Sequence, residues 1–113
     1  MKIFVCYVSS IFITMTIAAW ANAADDAATY SIDQKDKAFS KSYIKIKVGE
    51  TIDFKNGDPW MHNVFSLSDV QSFDLGSYPQ PQAKRVLFEK EGKIDVECAI
   101  HPQMHMVVEV VKK

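Results

Sequence analysis

Cysteine is scarce in this sequence, and its scarcity excludes one common way of stabilising a small exported domain. The chain has 113 residues and two cysteines, Cys6 and Cys98. Cys6 lies in an apolar N-terminal segment that we predict is removed, so the remaining domain has one thiol and no internal disulfide. A bare thiol in an oxidising compartment is open to oxidation and mispairing. Cys98 is therefore a candidate metal ligand, although a lone cysteine can also be a small hydrophobic core residue.

The N-terminal segment has the features of a secretory signal peptide. Lys2 supplies a positive charge, residues 3–20 are almost entirely apolar, and Ala21-Asn22-Ala23 is a small-residue cleavage sequence. We therefore predict a cleaved signal over residues 1–23, and a single exported domain of residues 24–113 in the periplasm. Because the apolar run approaches the roughly 20 residues that span a bilayer, an uncleaved membrane anchor is the alternative.

The chain also lacks an excess of charge of either sign. It has 13 basic and 14 acidic residues and a net charge of −1, which becomes −2 when Lys2 is removed with the signal. A nucleic-acid-binding domain carries a basic patch or stripe, whereas the charges here are interspersed. This balance argues against a nucleic acid as the partner.

Helical periodicity is absent from the predicted mature region, where apolar and polar residues alternate instead. The alternation is clear in residues 44–48, 52–55 and 94–98, and in the last of these it turns Cys98 inward at the end of a strand. Turn sequences such as Asn56-Gly57-Asp58-Pro59 separate the strands. Residues 69–82 are less regular, and we predict a crossing loop that holds one short strand or helical turn. Short strands with frequent turns predict an all-β sandwich or small barrel.

The segment Cys98-Ala-Ile-His101-Pro-Gln-Met104 carries the main chemical signal. It brings a thiolate, an imidazole and a thioether into one short stretch of chain, and these three donors together suit copper. A cysteine and two histidines with a weak axial methionine form the donor set of an electron-transfer copper site. The segment lacks only the second histidine, which must be His62 or His105.

Four patterns in chain order resemble the cupredoxins of the plastocyanin and amicyanin type, over roughly residues 43–111. Each pattern is weak alone, but the ordered set is specific, and the Cys-x-x-His-x-x-Met spacing is most similar to amicyanin. The four are Ile46-Lys-Val-Gly-Glu-Thr-Ile-Asp-Phe-Lys-Asn56, Met61-His-Asn-Val64, Phe73-Asp-Leu-Gly76, and Glu91-Gly92 leading into the Cys98 segment. The resemblance implies a cupredoxin-like Greek-key β-sandwich of about seven to eight strands.

The resemblance also implies a type 1 copper site and a role as a one-electron carrier between redox partner proteins. His62 matches the family's first ligand, which gives His62, Cys98, His101 and Met104 as the metal-binding residues. His105 directly follows Met104 and is expected to point the opposite way. Met106 has the plastocyanin-like spacing from His101 and is the alternative axial ligand. A monomer is expected.

Two further positions carry expectations from the same resemblance. Asn63 is expected to fix the two ligand-bearing loops by hydrogen bonds, which orient the ligands and tune the metal. His101 is expected to be the more exposed ligand, with Trp60, Met61 and Pro102 around it as an apolar docking patch. Because four protein donors leave no open coordination position, the predicted site is not that of an enzyme.

Other functions use some of the same residues. A periplasmic copper chaperone or storage protein would need the same donors, and His105 and Met106 could add to them. A cysteine–histidine nucleophilic enzyme is disfavoured because Cys98 points inward and no orienting Asn or Asp falls in a recognisable pattern. A zinc site would leave the Met104 thioether without a role as a ligand.

Overall fold

Nine β-strands and no helix make up residues 27–113, which together with residue 3 are the residues described by the computed structural model of the protein. The predicted signal peptide, residues 1–23, lies outside the described residues except for Ile3. The strands are β1 (Thr29–Lys35), β2 (Ala38–Phe39), β3 (Tyr43–Lys47), β4 (Thr51–Asn56), β5 (His62–Ser66), β6 (Phe73–Tyr78), β7 (Ala83–Leu87), β8 (Gly92–Glu97) and β9 (His105–Val111). No helix in the described part of the chain has the length and hydropathy to span a bilayer.

The strands form two mixed sheets. One sheet has four strands in the order β2-β1-β4-β7, and the other has five in the order β3-β9-β8-β5-β6. The pairs β1–β4 and β3–β9 are parallel, and the remaining pairs are antiparallel. The prediction of an all-β sandwich is confirmed, and the two-residue β2 brings the number of strands above the predicted seven to eight. In the irregular segment 69–82, β6 is the one short strand.

Alternation within the strands produces the core. In β3 the exposed residues Tyr43, Lys45 and Lys47 alternate with buried Ile44 and Ile46. Successive side chains of a strand point to opposite sides, so each sheet presents one apolar face. The core between the sheets consists of Ile32, Ile44, Ile46, Ile52, Phe54, Val64, Tyr78, Val86, Phe88, Ile94, Val96, Met106, Val108 and Val110.

The topology brings three chain segments to one end of the sandwich. Strand β5 begins at His62 and its antiparallel neighbour β8 ends at Glu97, with Phe65 opposite Glu97. Strand β9 begins at His105, directly after the loop of residues 98–104. The start of β5 and the loop between β8 and β9 therefore meet at the same end.

Candidate metal centre

The side chains of His62, Cys98 and His101 converge at this end. Their potential ligand atoms all lie within 4.8 Å of one another. The Cys98 Sγ is 3.8 Å from Nδ1 of His62 and 3.9 Å from Nδ1 of His101. Both imidazoles thus direct the same ring nitrogen toward one thiol, which is the arrangement that three ligands of a single ion require. This is the one cluster of at least three such side chains found among the described residues.

A short hydrogen-bonded loop brings Cys98 and His101 together. The Met104 N–H donates to the His101 carbonyl at 2.9 Å, and the Cys98 N–H donates to the Met104 carbonyl at 3.4 Å. Cys98 and Met104 are each 1% exposed. The loop therefore closes on itself and holds its sulfur-bearing side chains away from water.

The two candidate axial methionines lie in different surroundings. Met106 is completely buried in β9 and belongs to the hydrophobic core. Met104 is also buried but lies outside that core cluster, at the end of the loop that holds Cys98 and His101. These positions favour Met104 as the donor and Met106 as a packing residue.

His62 is fixed by a buried carboxylate. Its Nε2 lies 2.7 Å from Oδ2 of Asp58, whose two oxygens also accept hydrogen bonds from the backbone N–H groups of Asp36 and Lys37. Because an ionised carboxylate only accepts hydrogen bonds, the proton of the neutral imidazole belongs on Nε2, and Nδ1 keeps a free lone pair. Burial alone would raise the pKa of Asp58, but the hydrogen bonds from His62, Asp36 and Lys37 outweigh it and lower the pKa.

Asn63 joins the two ligand-bearing segments. Its N–H donates to the Cys98 Sγ at 3.5 Å, and its Oδ1 accepts the N–H of Ala99 at 3.3 Å. Its Nδ2 donates to Oδ1 of Asp74 at 2.8 Å, and the same oxygen accepts the Gly76 N–H. The hydrogen bonds expected of Asn63 are thus present, and Asp74 of β6 anchors its amide.

The segment before His62 is held by Asn56, a buried residue at the end of β4. Its Nδ2 donates to the carbonyls of Trp60 and Tyr78 at 2.8 and 2.9 Å, and its Oδ1 accepts the N–H of Asp58 at 2.8 Å. These three bonds satisfy both polar atoms of the buried Asn56 amide and tie residues 56–60 to the end of β6. The Asp58 carboxylate is therefore carried on a rigid turn.

Sequence reasoning missed Asp58 and Asp74 as neighbours of the site. In the sequence Asp58 has only the pattern of a turn residue, and its spacing of four residues from His62 is not distinctive in a β-rich chain. His105, the alternative to His62 in the sequence, is exposed and lies outside the cluster, with its Nε2 2.9 Å from Oδ1 of Asp95. Of the two histidines that could complete the donor set, the structure therefore brings only His62 to Cys98.

His101 is the more accessible imidazole of the cluster. It is partly exposed, whereas His62 is completely buried, and its ring lies 6.4 Å from that of Trp60. Lys37 lies over the Trp60 ring at 5.5 Å. Desolvation, His62 and Lys37 lower the pKa of His101 below its ordinary value of 6.5. The His101 imidazole is therefore neutral at neutral pH, with one ring nitrogen free of a proton and available to a metal.

This lowered pKa predicts a pH dependence of the metal-free protein. The unfolded chain takes up the His101 proton more readily than the folded chain, so the free energy of unfolding declines as the pH falls below 6.5. The decline levels off below the pKa of the folded state. Urea unfolding of the wild type and of His101→Gln across this range measures the effect. An identical decline in His101→Gln would contradict the assignment.

The donor set fits copper better than zinc. A thiolate and a thioether are soft donors that select Cu(I), and imidazole binds either oxidation state of copper. Structural zinc sites use thiolate and imidazole ligands but rarely a thioether. A buried methionine, Met104, at the end of the loop that carries Cys98 and His101 therefore points to copper.

Comparisons with known proteins agree with this chemistry. A sequence profile of copper binding proteins of the plastocyanin/azurin family matches residues 27–113. The methylamine utilization protein MauL of Methylorubrum extorquens is 34% identical over 71 residues, which cover 62% of this chain and 62% of MauL. The chain thus spans less than two thirds of the length of this curated relative.

Solved structures show the same fold. A methionine-to-alanine mutant of amicyanin in the Cu(I) form matches with a TM-score of 0.69 and 23% identity, covering 77% of this chain and 88% of that chain. A proline-to-alanine mutant of oxidized amicyanin matches with a TM-score of 0.68 and 26% identity, covering 80% and 88%. The copper-containing nitrite reductase NirK from Thermus scotoductus matches with a TM-score of 0.68 and 23% identity over 76% of this chain, but over only 23% of its own.

The profile match spans most of the chain, and it includes all the residues that the fold brings to the candidate metal centre. The resemblance first noted in four sequence patterns is thereby confirmed. The chain belongs to the plastocyanin/azurin family of copper-binding proteins, the cupredoxins.

Proposed function

We propose that this protein carries single electrons between redox proteins in the periplasm, with one copper ion held by His62, Cys98, His101 and Met104. The observation that carries the proposal is the position of both Nδ1 atoms, 3.8 and 3.9 Å from the Cys98 Sγ. The three strong donors lie within 4.8 Å of one another, and a buried thioether lies at the end of the same loop. When bound, copper supplies a Cu(I)/Cu(II) couple.

The surrounding hydrogen bonds suit electron transfer. Asp58 holds His62, and Asn63 holds the loop that begins at Cys98. Ligands that are fixed by such partners change their positions little when the charge of the site changes. Fixed ligand positions keep the structural reorganisation on electron transfer small. An electron carrier requires this, whereas a protein that releases its metal does not.

The exposed edge of His101 offers a route for electrons. Ile100 and Pro102, which adjoin His101 in the chain, are exposed. Trp60, whose ring lies 6.4 Å from that of His101, and its neighbour Met61 are exposed as well. Exposed apolar side chains grouped in this way are typical of an interaction surface. We propose that the donor and the acceptor proteins dock here in turn.

A chaperone or storage role draws less support from the structure. The two additional donors that favoured it in the sequence are His105 and Met106. His105 pairs with Asp95 on the surface, and Met106 is packed in the core. His105 lies outside the cluster and Met106 is enclosed by the core, so neither offers a second position for handing the metal on within residues 27–113.

The two roles are separated by voltammetry and a chelator challenge on the copper-loaded protein. A carrier gives an intense thiolate-to-copper absorption, a reversible one-electron wave and retention of Cu(I) in the presence of a Cu(I) chelator. Rapid bleaching followed by transfer of Cu(I) to the chelator would contradict the carrier function and favour a chaperone function.

Met104 and Met106 offer a matched pair of substitutions. Met104→Leu is expected to alter the visible spectrum and to raise the reduction potential, since loss of an axial donor and a more apolar pocket disfavour the more highly charged Cu(II). Met106→Leu makes the same chemical change in the core, where a swap of similar volume costs less than about 1.5 kcal/mol of stability. If Met106→Leu changed the spectrum and Met104→Leu did not, Met106 would be the axial ligand instead of Met104.

We further propose that residues 1–23 are an export signal that is removed after Ala23, leaving the copper-binding domain of residues 24–113. The N-terminal charge, apolar run and small-residue cleavage sequence support this division. Mass spectrometry of the exported protein tests it, and the expected first residue is Ala24. A mature chain that keeps the apolar run would indicate a membrane anchor instead.

A further inference from the structure

Asp58 is a buried carboxylate in a place where burial is costly. It is 2% exposed, and its partner His62 is completely buried. An ionised carboxylate is stable in such surroundings only when hydrogen bonds replace the water it has lost. Asp58 is not among the four proposed copper ligands, yet it touches one of them directly at 2.7 Å.

The rest of the fold holds this carboxylate in place. Its Oδ1 accepts the N–H of Asp36 at 2.8 Å, and its Oδ2 accepts the N–H of Lys37 at 3.3 Å. Both donors lie in the turn between β1 and β2 with left-handed φ angles of 53° and 58°. Such angles are costly for residues other than glycine, Asn and Asp, and they persist where surrounding contacts stabilise them. This turn thus donates two backbone N–H hydrogen bonds to the Asp58 carboxylate, which also accepts the Nε2–H hydrogen bond of His62.

The two imidazoles of the cluster differ in the hydrogen bonding of Nε2. His62 Nε2 is bound to a fixed negative charge, and its Nδ1 faces Cys98. For His101, no hydrogen-bond partner of Nε2 is found within residues 27–113. The carboxylate therefore fixes the tautomer and orientation of His62, whereas His101 has no such hydrogen-bond partner among these residues.

We propose that Asp58 is a positioning residue of the copper centre, which keeps the His62 proton on Nε2 and lowers the reduction potential by placing a negative charge behind that ligand. The proposal rests on the proposed electron-carrier function. A negative charge close to the site favours Cu(II) over Cu(I), because Cu(II) carries one more positive charge and the interaction is poorly screened in a buried site. A hydrogen bond from a ligating imidazole to a carboxylate also raises the basicity of the ligand.

Asp58→Asn is the informative substitution, because the amide oxygen can still accept the His62 proton while the negative charge is lost. The matched control is Asp33→Asn, which removes the same charge from an exposed position on β1. We expect a positive shift of the midpoint potential in Asp58→Asn and no comparable shift in Asp33→Asn. Equal shifts in the two variants, or no shift in either, would overturn the charge effect.

The tautomer is measured separately in the copper-free protein. Nitrogen-15 NMR of the wild type is expected to show His62 in the Nε2–H form alone, and Asp58→Ala is expected to populate both tautomers. A wild-type Nδ1–H form, or an unchanged single tautomer in Asp58→Ala, would overturn the positioning role. Asp58→Glu, which restores the charge on a longer side chain, is expected to recover part of the wild-type potential.

These readouts distinguish the two proposals. If the copper-loaded wild type gives no reversible one-electron wave, the carrier function fails, whereas the tautomer in the copper-free protein still decides the positioning role. If the wave is reversible but Asp58→Asn leaves the potential unchanged, the charge effect of Asp58 fails while the carrier function stands.

Discussion

Replacing Cys98 with serine is expected to abolish the thiolate-to-copper absorption and to weaken copper binding by more than about 100-fold. Loss of a residue that only hydrogen-bonds to a ligand weakens metal binding by up to about 100-fold, and loss of a ligand itself should cost more. Cys98 is the one free cysteine among the described residues, and its Sγ lies 3.8 and 3.9 Å from Nδ1 of the two imidazoles. A serine hydroxyl is a hard and weakly acidic donor, so it supplies neither the soft ligand that Cu(I) prefers nor the sulfur orbital responsible for the colour.

Optical titration with copper measures both effects. His105→Asn is the matched control, because it removes an imidazole that lies outside the cluster. The control is expected to keep the spectrum and the affinity of the wild type. Wild-type absorption in Cys98→Ser would remove Cys98 from the ligand set, and loss of colour in His105→Asn would place His105 in it.

Replacing His62 with alanine is expected to lower the free energy of unfolding of the copper-free protein by about 3 kcal/mol, the lower end of the range for breaking a buried pair. The substitution takes away the donor that lies 2.7 Å from Asp58 and leaves the carboxylate buried. It also opens a space where a fully buried ring was packed, and the loss of packing adds to the cost. Urea unfolding without metal measures this effect apart from copper binding.

A double substitution tests the cause of this loss. If the stranded charge of Asp58 is responsible, Asp58→Asn together with His62→Ala should recover part of the stability, because a neutral amide tolerates burial better than a carboxylate. His105→Ala breaks the exposed pair with Asp95 and is expected to cost no more than about 1 kcal/mol. A similar loss of unfolding free energy in His62→Ala and His105→Ala would show that the buried pair contributes no more to stability than the exposed pair.

The sequence contains enough information to predict the fold class and the proposed ligands. Alternation in segments such as 44–48 marks one buried and one exposed side of a strand, and these sides lie where the pattern predicts. The same period turns Cys98 inward. The spacing from Cys98 to Met104 is short enough for one loop to carry three donors, so local chain geometry alone suggests a common site.

The partners of the ligands could not be predicted in this way. Asp58 meets Asp36 and Lys37 across 22 and 21 residues, and Asn63 meets Asp74 across 11. Asp and Asn are common turn formers, so a residue such as Asp58 has the same local signature whether it faces water or a buried imidazole. Only the packing of the two sheets decides which of these turns approaches the site.

The place of β9 within its sheet has a consequence for the order of folding during synthesis. β9 comprises residues 105–111 but lies between β3 and β8, and its parallel partner β3 comprises residues 43–47. The five-stranded sheet cannot be completed until residues up to 111 have emerged from the ribosome, and contacts so distant in sequence form slowly. The nascent chain therefore lacks its complete five-stranded sheet until residue 111 has emerged, so the core between the two sheets closes late in synthesis.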